Sequence, residues 1–168
     1  MSNQKTGLLH HIIWFETKIF NPIIKKILTS KLHWPLSKKF MLITYKGHKT
    51  GEKYTTPLYY REKTNTLFVL TMKDGVKWWR NFKKQHPVTI QYKGKKIKTT
   101  AKAEKNPETI EKYLKEMITQ SNTWKIFLKL YGIPINPNKK QLKQASKKTI
   151  LVKFKKHQKQ TKKLRKQN

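Results

Sequence analysis

The stretch GHKTGEKYTTPLYY, from Gly47 to Tyr60, places a glycine-bounded basic turn directly before an aromatic strand. A strand-like run, Phe40 to Tyr45, lies on its other side, so the turn suits two antiparallel neighbours. The two glycines permit tight backbone geometry, and exposed amide groups with Lys49 and Lys53 can bind an anion. The stretch therefore indicates a site for a phosphate beside a flat ring. The alternative is a hydrophilic hairpin in a lysine-rich chain.

The rest of the chain contains four more predicted strands, each rich in β-branched and aromatic residues. The predicted strands are Phe40–Tyr45, Tyr54–Tyr60, Leu67–Met72, Val88–Tyr92, Ile97–Ala103 and Thr149–Phe154. Polar turns at Glu62–Asn65 and Lys93–Lys96 suit antiparallel connections. Six mostly antiparallel strands with helices inserted late predict an α+β fold, a small barrel or curled sheet, because closure removes exposed strand edges. Alternating βα units are absent, which disfavours a Rossmann fold.

Apolar residues recur at helical spacing near the N-terminus, and Asn21 with Pro22 interrupts them with an N-cap and a first-turn proline. Two helices, or one kinked helix, are expected from about Gly7 to Ser30. Their basic face could lie on an anionic membrane surface; alternatively, their apolar stripe covers one end of the core. The basic residues are Lys18, Lys25, Lys26 and Lys31. Further helices are predicted over Val76–Gln85, Asn106–Thr119 and Asn122–Tyr131.

The formal net charge of +32 on 168 residues indicates an anionic partner: nucleic acid, a membrane surface or a phosphorylated small molecule. Only three of the 40 basic residues are arginine, whereas base reading in DNA grooves favours arginine, so nucleic acid is not expected. The lysine excess is also typical of an AT-rich coding sequence. No secretory signal or membrane-length apolar run occurs, so a cytoplasmic location is expected, with peripheral membrane contact through the N-terminal helices.

Residues for acid–base, nucleophilic or metal chemistry are few. The chain has no cysteine and only eight acidic residues, without the close carboxylate pair that many hydrolases use. Its six histidines lack ligand spacing and no serine sits in a nucleophile elbow, so no metal site or serine hydrolase is expected. Basic turns and aromatic strand ends remain as the chemistry that the sequence offers.

A second candidate anion site follows the third predicted strand. Met72 and Lys73 end this strand just before Asp74 and Gly75. The helix predicted from Val76 has free amide groups and a dipole that favour an anion. Two such sites at neighbouring strand ends would bracket one phosphorylated ligand.

The longer stretch LITYKGHKTGEKYTTPLYY, Leu42 to Tyr60, resembles the pattern T-x-G-R-K-S/T-G-x-x-R-x-T/N-P-L of the deazaflavin-dependent nitroreductase and quinone-reductase family. Lys77 to Pro87 (KWWRNFKKQHP) is similar to the family's W-Y-x-N-L-x-A-N-P helix, and Val88 to Thr100 resembles its V-x-V-Q-x-G hairpin. The resemblance covers roughly Leu8 to Phe154. It implies a split β-barrel related to flavin-binding oxidases.

The resemblance also implies a function. Members of the family pass a hydride from reduced coenzyme F-420, a deazaflavin, to a quinone, nitro compound or similar small acceptor. FMN is the alternative cofactor, since it has the same ring-plus-phosphate shape. The alternative function is a non-catalytic split barrel that binds flavin, nucleic acid or an anionic membrane through its lysines. A monomer or homodimer is expected.

Particular residues inherit roles from the resemblance. The cofactor's polar or tail region would be lined by His48, Lys49, Thr50 and Lys53. The ring would be backed by Thr56, Pro57, Leu58 and Tyr59, and the phosphate would be held by Met72, Lys73, Asp74 and Gly75. The aromatic helix positions are Trp78 and Trp79, with ordinary core packing as their alternative role. Trp79 is assigned to the cofactor, and the acceptor side to Trp78, Trp124 and Tyr131.

The sequence departs from the family pattern at three of these positions. His48 stands where the family has arginine, Tyr54 where a second arginine is common, and Asp74 where glycine is usual. Asn81 is expected to support the geometry between helix and loop. Along the chain, residues 1–38 are expected to be amphipathic helices that pack on the barrel. Residues 39–156 would be the cofactor-binding split barrel, and residues 157–168 a basic, disordered tail.

Overall fold

The computed structural model describes residues 21–74, 76–120, 129 and 133–156. Its α-helices include α1 (Asn21–Thr29), α2 (Trp34–Ser37), α3 (Pro107–Gln120) and α4 (Lys139–Lys148), and a 3-10 helix covers Trp78–Phe82. The strands are β1 (Phe40–Lys46), β2 (Lys53–Tyr59), β3 (Arg61–Lys63), β4 (Thr66–Met72), β5 (His86–Tyr92), β6 (Lys95–Glu104) and β7 (Thr149–Lys155). Within the described ranges, no helix is long and apolar enough to cross a membrane.

All these strands belong to one antiparallel sheet, in the order β2–β1–β5–β6–β7–β4–β3. The two edge strands, β2 and β3, follow one another in the chain and are separated only by Tyr60. A sheet whose two edges are consecutive in the chain must curl until those edges meet. The predicted α+β fold with a curled, barrel-like sheet is therefore confirmed.

The sheet has seven strands where the sequence predicts six. The additional strand, β3, lies inside the expected Glu62–Asn65 turn. That turn needs only two residues, because Thr64 is left-handed with φ of 52° and Lys63 pairs with Thr66. As a result β4 pairs with β3 and not with β2. The prediction that the strands on either side of this turn are antiparallel neighbours is wrong for β2.

The helix predicted over Val76–Gln85 is a short 3-10 helix, and Asn81 provides the physical reason. The Asn81 side-chain amide donates to the carbonyl of Trp78 at 2.9 Å. In an α-helix that carbonyl would accept from the amide four residues later, so the side chain competes with α-helical pairing. The helix predicted from Asn106 is α3, and Asn106 Oδ1 caps it by accepting from the Thr109 amide at 3.0 Å.

Two described helices, α2 and α4, are not predicted from the sequence. Helix α4 contains few apolar residues, yet it begins with a capping box. Asn138 Oδ1 accepts from the Gln141 amide, and Gln141 Oε1 accepts from the Asn138 amide, both at 2.9 Å. An asparagine followed three residues later by glutamine is the signal that identifies this helix.

The core has three parts. The interior of the curled sheet is filled by large side chains, including the fully buried Ile43, Phe82 and Phe154. Helices α3 and α4 pack on the outer face of β4 and β7, where Leu114, Met117 and Leu151 are buried. Helix α1 packs on the outer face of β1, with Ile24 and Leu28 against Leu42. One face of the predicted N-terminal stripe thus covers the sheet, while the segment before Asn21 lies outside the described residues.

Candidate functional site

Strand directions place both predicted anion-binding turns at the same end of the barrel. Successive antiparallel pairs run from β1 through β5, β6 and β7 to β4, so β1 and β4 point the same way. The β1–β2 turn and the turn after Met72 therefore share one end, which we call the upper end. The 3-10 helix lies there too, because it connects the turn after β4 to the start of β5.

The barrel is left open by strand pairing on one side of this upper end. In the described part of the chain, β2 pairs only with β1. Strand β3 pairs with β4 only from Thr66 to Phe68, so the upper part of β4, from Val69 to Met72, pairs only with β7. The unpaired edges of β2 and upper β4 define what we call the open seam. Its backbone groups and rim side chains are available to a ligand.

The basic loop between β1 and β2 is held closed by its own hydrogen bonds. The Gly47 amide donates to the Glu52 carbonyl at 2.8 Å, and the Gly51 amide donates to the Gly47 carbonyl at 2.9 Å. The His48 amide donates to Asn81 Oδ1 at 2.8 Å. These amides are therefore not available for the anion nest that the sequence suggests. An anion at this loop would be held by the exposed side chains instead; they are His48, Lys49, Thr50 and Lys53.

Asn81 confirms its predicted supporting role, because it joins the 3-10 helix to the basic loop. Its Oδ1 accepts from the His48 amide and its Nδ2 donates to the Trp78 carbonyl. His86 Nε2 lies 3.0 Å from the Lys46 carbonyl, a second contact between the start of β5 and the base of the loop. The basic loop is thus fixed relative to the helix beside it.

Tyr54, at the position where the family pattern has arginine, packs over this loop. Its hydroxyl donates to the Glu52 carboxylate at 2.9 Å, so the Thr50 hydroxyl, 3.1 Å away, donates to Tyr54. Its ring stacks on Tyr45, with centroids 5.8 Å apart and planes at 30°. Burial raises the pKa of Tyr45, and Tyr54 beside it raises that pKa further. Tyr45 is therefore a neutral, buried support for a more exposed ring.

The second predicted half of the site lies around Trp79. Its indole N–H donates to the Lys73 carbonyl at 3.3 Å, which joins the 3-10 helix to the turn after β4. The Lys73 amide donates to the Lys148 carbonyl at 2.8 Å. Lys73 and Asp74 are exposed and Met72 is half-buried, whereas Gly75 lies outside the described residues.

Two cations that the sequence reasoning misses also lie beside Trp79. Arg80 Cζ is 5.8 Å and Lys105 Nζ 5.7 Å from the ring centroid. Lys105 directly follows β6, so only the pairing of the sheet brings it to the upper end. Arg80 had a sequence signal, since it is one of only three arginines. With Lys73, these residues surround Trp79 with positive charge.

The four residues expected to back the ring do not share one face of the sheet. Leu58 is in the barrel interior, and Thr56, two residues away, points to the same side. Pro57 and Tyr59 point outward, where Tyr59 packs edge-on against Phe40 at 5.2 Å. Burial raises the pKa of Tyr59, which also marks it as a packed side chain. Thr56 and Leu58 are thus placed to back a ring from inside, and Pro57 and Tyr59 are not.

The aromatic residues of the 3-10 helix differ in exposure. Trp79 is only 4% exposed and belongs to the interior core, so core packing is part of its role. Trp78 is half-buried and packs against Phe82 at 5.8 Å. The other acceptor-side candidates, Trp124 and Tyr131, lie outside the described residues. In the described ranges, no group of three or more histidine, cysteine, aspartate or glutamate residues could hold a metal ion.

Several solved structures resemble the chain weakly. A domain-swapped dimer is 19% identical, with 70% of this chain and 81% of that chain covered and a TM-score of 0.45. A Listeria innocua protein assigned as a pyridoxamine 5′-phosphate oxidase is 12% identical, with coverage of 81% and 94% and a TM-score of 0.44. An FAD-binding protein from Mesorhizobium loti is 18% identical, with coverage of 80% and 88% and a TM-score of 0.39. No conclusion about the site rests on likenesses this weak.

No functionally curated protein matches the chain. The family described as F420H(2)-dependent quinone reductase, in contrast, matches residues 27–129. The matched region contains the basic loop, the open seam, the turn after β4 and the 3-10 helix. The resemblance read from the motifs is thereby confirmed, and so is the assignment of the chain as an oxidoreductase. The chain belongs to the F420H(2)-dependent quinone reductase family.

Proposed function

We propose that the protein transfers a hydride from reduced coenzyme F-420 to a small electron-poor acceptor, such as a quinone or a nitro compound, with FMN as the alternative cofactor. The observation that carries the proposal is the open seam with cations on both of its sides. Lys49 and Lys53 lie on the β1–β2 side, and Lys73 lies at the end of β4. A flat ring with an anionic tail has the shape and charge to fit between them.

The proposed cofactor supplies the hydride, so the protein has to bind, orient and shield it. Thr56 and Leu58 would back the ring from the interior side, and Lys49, Lys53 and Lys73 would bind the phosphate and the anionic tail. An acceptor that takes up a hydride gains negative charge, which the positive field of this lysine-rich end would stabilise. This division of labour is compatible with the scarcity of acids near the seam.

Titration of the protein with F-420 and with FMN, followed by cofactor fluorescence, tests the proposal. The double variant Lys49→Ala/Lys73→Ala should weaken binding by roughly 10- to 100-fold, since each lost charge-assisted contact contributes ~1–2 kcal/mol. The matched control is Lys95→Ala/Lys96→Ala, which removes two exposed lysines from the β5–β6 hairpin at the opposite end. Equal losses in both pairs would indicate bulk charge, and no binding of either cofactor below ~100 μM would contradict the proposal.

Peripheral contact of a cytoplasmic protein with an anionic membrane is a second proposal, and one observation favours it. Ile23 of α1 is 53% exposed, and the neighbouring Lys25 and Lys26 are exposed as well. An apolar side chain flanked by lysines suits the surface of an anionic bilayer. Sedimentation with vesicles of anionic lipid should therefore exceed that with neutral vesicles, and Ile23→Ser should reduce it. Equal sedimentation with both vesicle types would contradict this proposal.

A further inference from the structure

Tyr54 is the residue by which this chain departs from its family at the rim of the open seam. Its Cα pairs with that of Tyr45 across β1 and β2, so the two side chains point to the same face of the sheet. Tyr45 belongs to the interior core, so Tyr54 also points inward. Because β2 is the edge strand, Tyr54 remains 37% exposed, in contrast to Tyr45 at 6%.

The ring of Tyr54 is held in place from three sides. One face stacks on Tyr45, and its hydroxyl is hydrogen-bonded to Thr50 and Glu52. Its edge lies against Gly47, where an added Cβ would come within 2.7 Å of Tyr54 Cε2. A ring fixed before a ligand arrives loses little conformational entropy on binding.

A fixed aromatic ring with one covered and one exposed face provides a stacking surface for another flat ring. We propose that Tyr54 stacks on the ring of the bound deazaflavin or flavin and thereby replaces, by ring contact, the charge that arginine provides in other family members. This inference rests on the proposed function. Lys53 and Thr56 lie on the same strand edge, so the ring and its anionic tail would follow β2 together.

Variants at Tyr54 test the inference through affinity and through the fluorescence of bound FMN, which a stacked tyrosine quenches. Tyr54→Leu should weaken cofactor binding roughly 3- to 10-fold and leave bound FMN more fluorescent than in the wild type. Tyr54→Phe keeps the ring and loses only the hydroxyl contacts, so it should stay within about 2-fold of wild-type affinity. Trp34→Leu is the matched control, because it removes an aromatic side chain that is 61% exposed on α2.

Gly47→Ala provides a second perturbation that leaves the tyrosine itself intact. The new Cβ would lie 2.6 Å from Thr50 Oγ1 and 2.7 Å from the Tyr54 ring, so the ring must shift. Reduced affinity and brighter bound FMN are expected, as for Tyr54→Leu. Circular dichroism melting would verify that both variants fold.

The outcomes separate this inference from the function on which it rests. If the wild type binds neither F-420 nor FMN, the proposed function fails and stacking fails with it. If the wild type binds a cofactor while Tyr54→Leu matches it in affinity and in bound fluorescence, the stacking role is overturned and the function stands. An equal loss in Tyr54→Phe and Tyr54→Leu would assign the effect to the hydroxyl and its loop contacts, which also overturns stacking.

Discussion

Replacement of Glu62 by glutamine is expected to loosen the end of the barrel opposite the open seam. The Glu62 carboxylate accepts hydrogen bonds from Tyr92 Oη, from Lys93 Nζ at 3.0 Å and from Lys156 Nζ. Tyr92 ends β5 and Lys156 follows β7, whereas Glu62 belongs to the edge strand β3. These bonds tie one edge of the sheet across its lower end, and the seam then remains open only above.

The magnitude follows from the ionisation of this carboxyl group. Burial acts to raise the pKa of Glu62, but hydrogen bonds from Lys156, Tyr92 and Lys93 outweigh it and lower the pKa from 4.5 to about 2. A shift of this size corresponds to roughly 3 kcal/mol. Screening by water at a side chain that is 31% exposed reduces the contribution to about 1–2 kcal/mol. Because the folded-state pKa is lowered, this stabilisation is complete above pH 4.5 and is lost as the pH falls toward about 2.

Thermal unfolding followed by circular dichroism at pH 7 and pH 3 measures the effect. At pH 7, Glu62→Gln should lower Tm by roughly 2–8 °C. At pH 3, roughly half of that difference or less should remain, since much of the wild-type stabilisation is already lost. Glu116→Gln is the control, because its ion pair with Lys63, at 2.8 Å, lies at the surface and should contribute only ~0.2–1 kcal/mol. A Tm deficit that is absent at pH 7, or unchanged at pH 3, would refute the reasoning.

Three further predictions concern single contacts. Asn81→Ala removes the bonds that join the 3-10 helix to the basic loop, so it should cost about 1–2 kcal/mol in urea unfolding and also weaken FMN binding in a fluorescence titration. Asn138→Ala removes the cap of α4 and should cost about 1 kcal/mol in the same unfolding experiment, with FMN affinity unchanged. Gly94→Ala should lower Tm in calorimetry by several degrees, roughly 1–2 kcal/mol, because Gly94 has φ of +76° and a Cβ there would lie 2.6 Å from His33 Nε2.

Local pattern was sufficient to predict most of the strands. Strand β1 was expected at Phe40–Tyr45 and ends one residue later, and β5 was expected at Val88–Tyr92 and begins two residues earlier. Alternating apolar and polar residues reveal a strand because each side chain must choose the core or the solvent. The 3-10 helix was misjudged, because Trp78, Trp79 and Phe82 have a spacing that suits both kinds of helix.

Part of the candidate site could also be predicted, as far as motifs reach. The basic loop and the turn after β4 were identified from glycine, lysine and strand ends, and they do share one end of the barrel. The anion nest was not predictable, because the amide of His48 is taken by Asn81, 33 residues later in the chain. Lys105 was missed because the residue lies beside Trp79 only after β6 has joined the sheet.

The sequence by itself determined the strands, the turns, the positive charge and the family, since each depends on residues that are close together in the chain. Tertiary structure alone decided which edges of the sheet stay unpaired, and that depends on the short turn at Thr64 and on how far β3 pairs along β4. It also decided that Tyr54 points inward while Pro57 points outward, because one register of β1 against β2 assigns every side chain of β2 to a face. Contacts between distant residues therefore convert a basic turn into one rim of a seam.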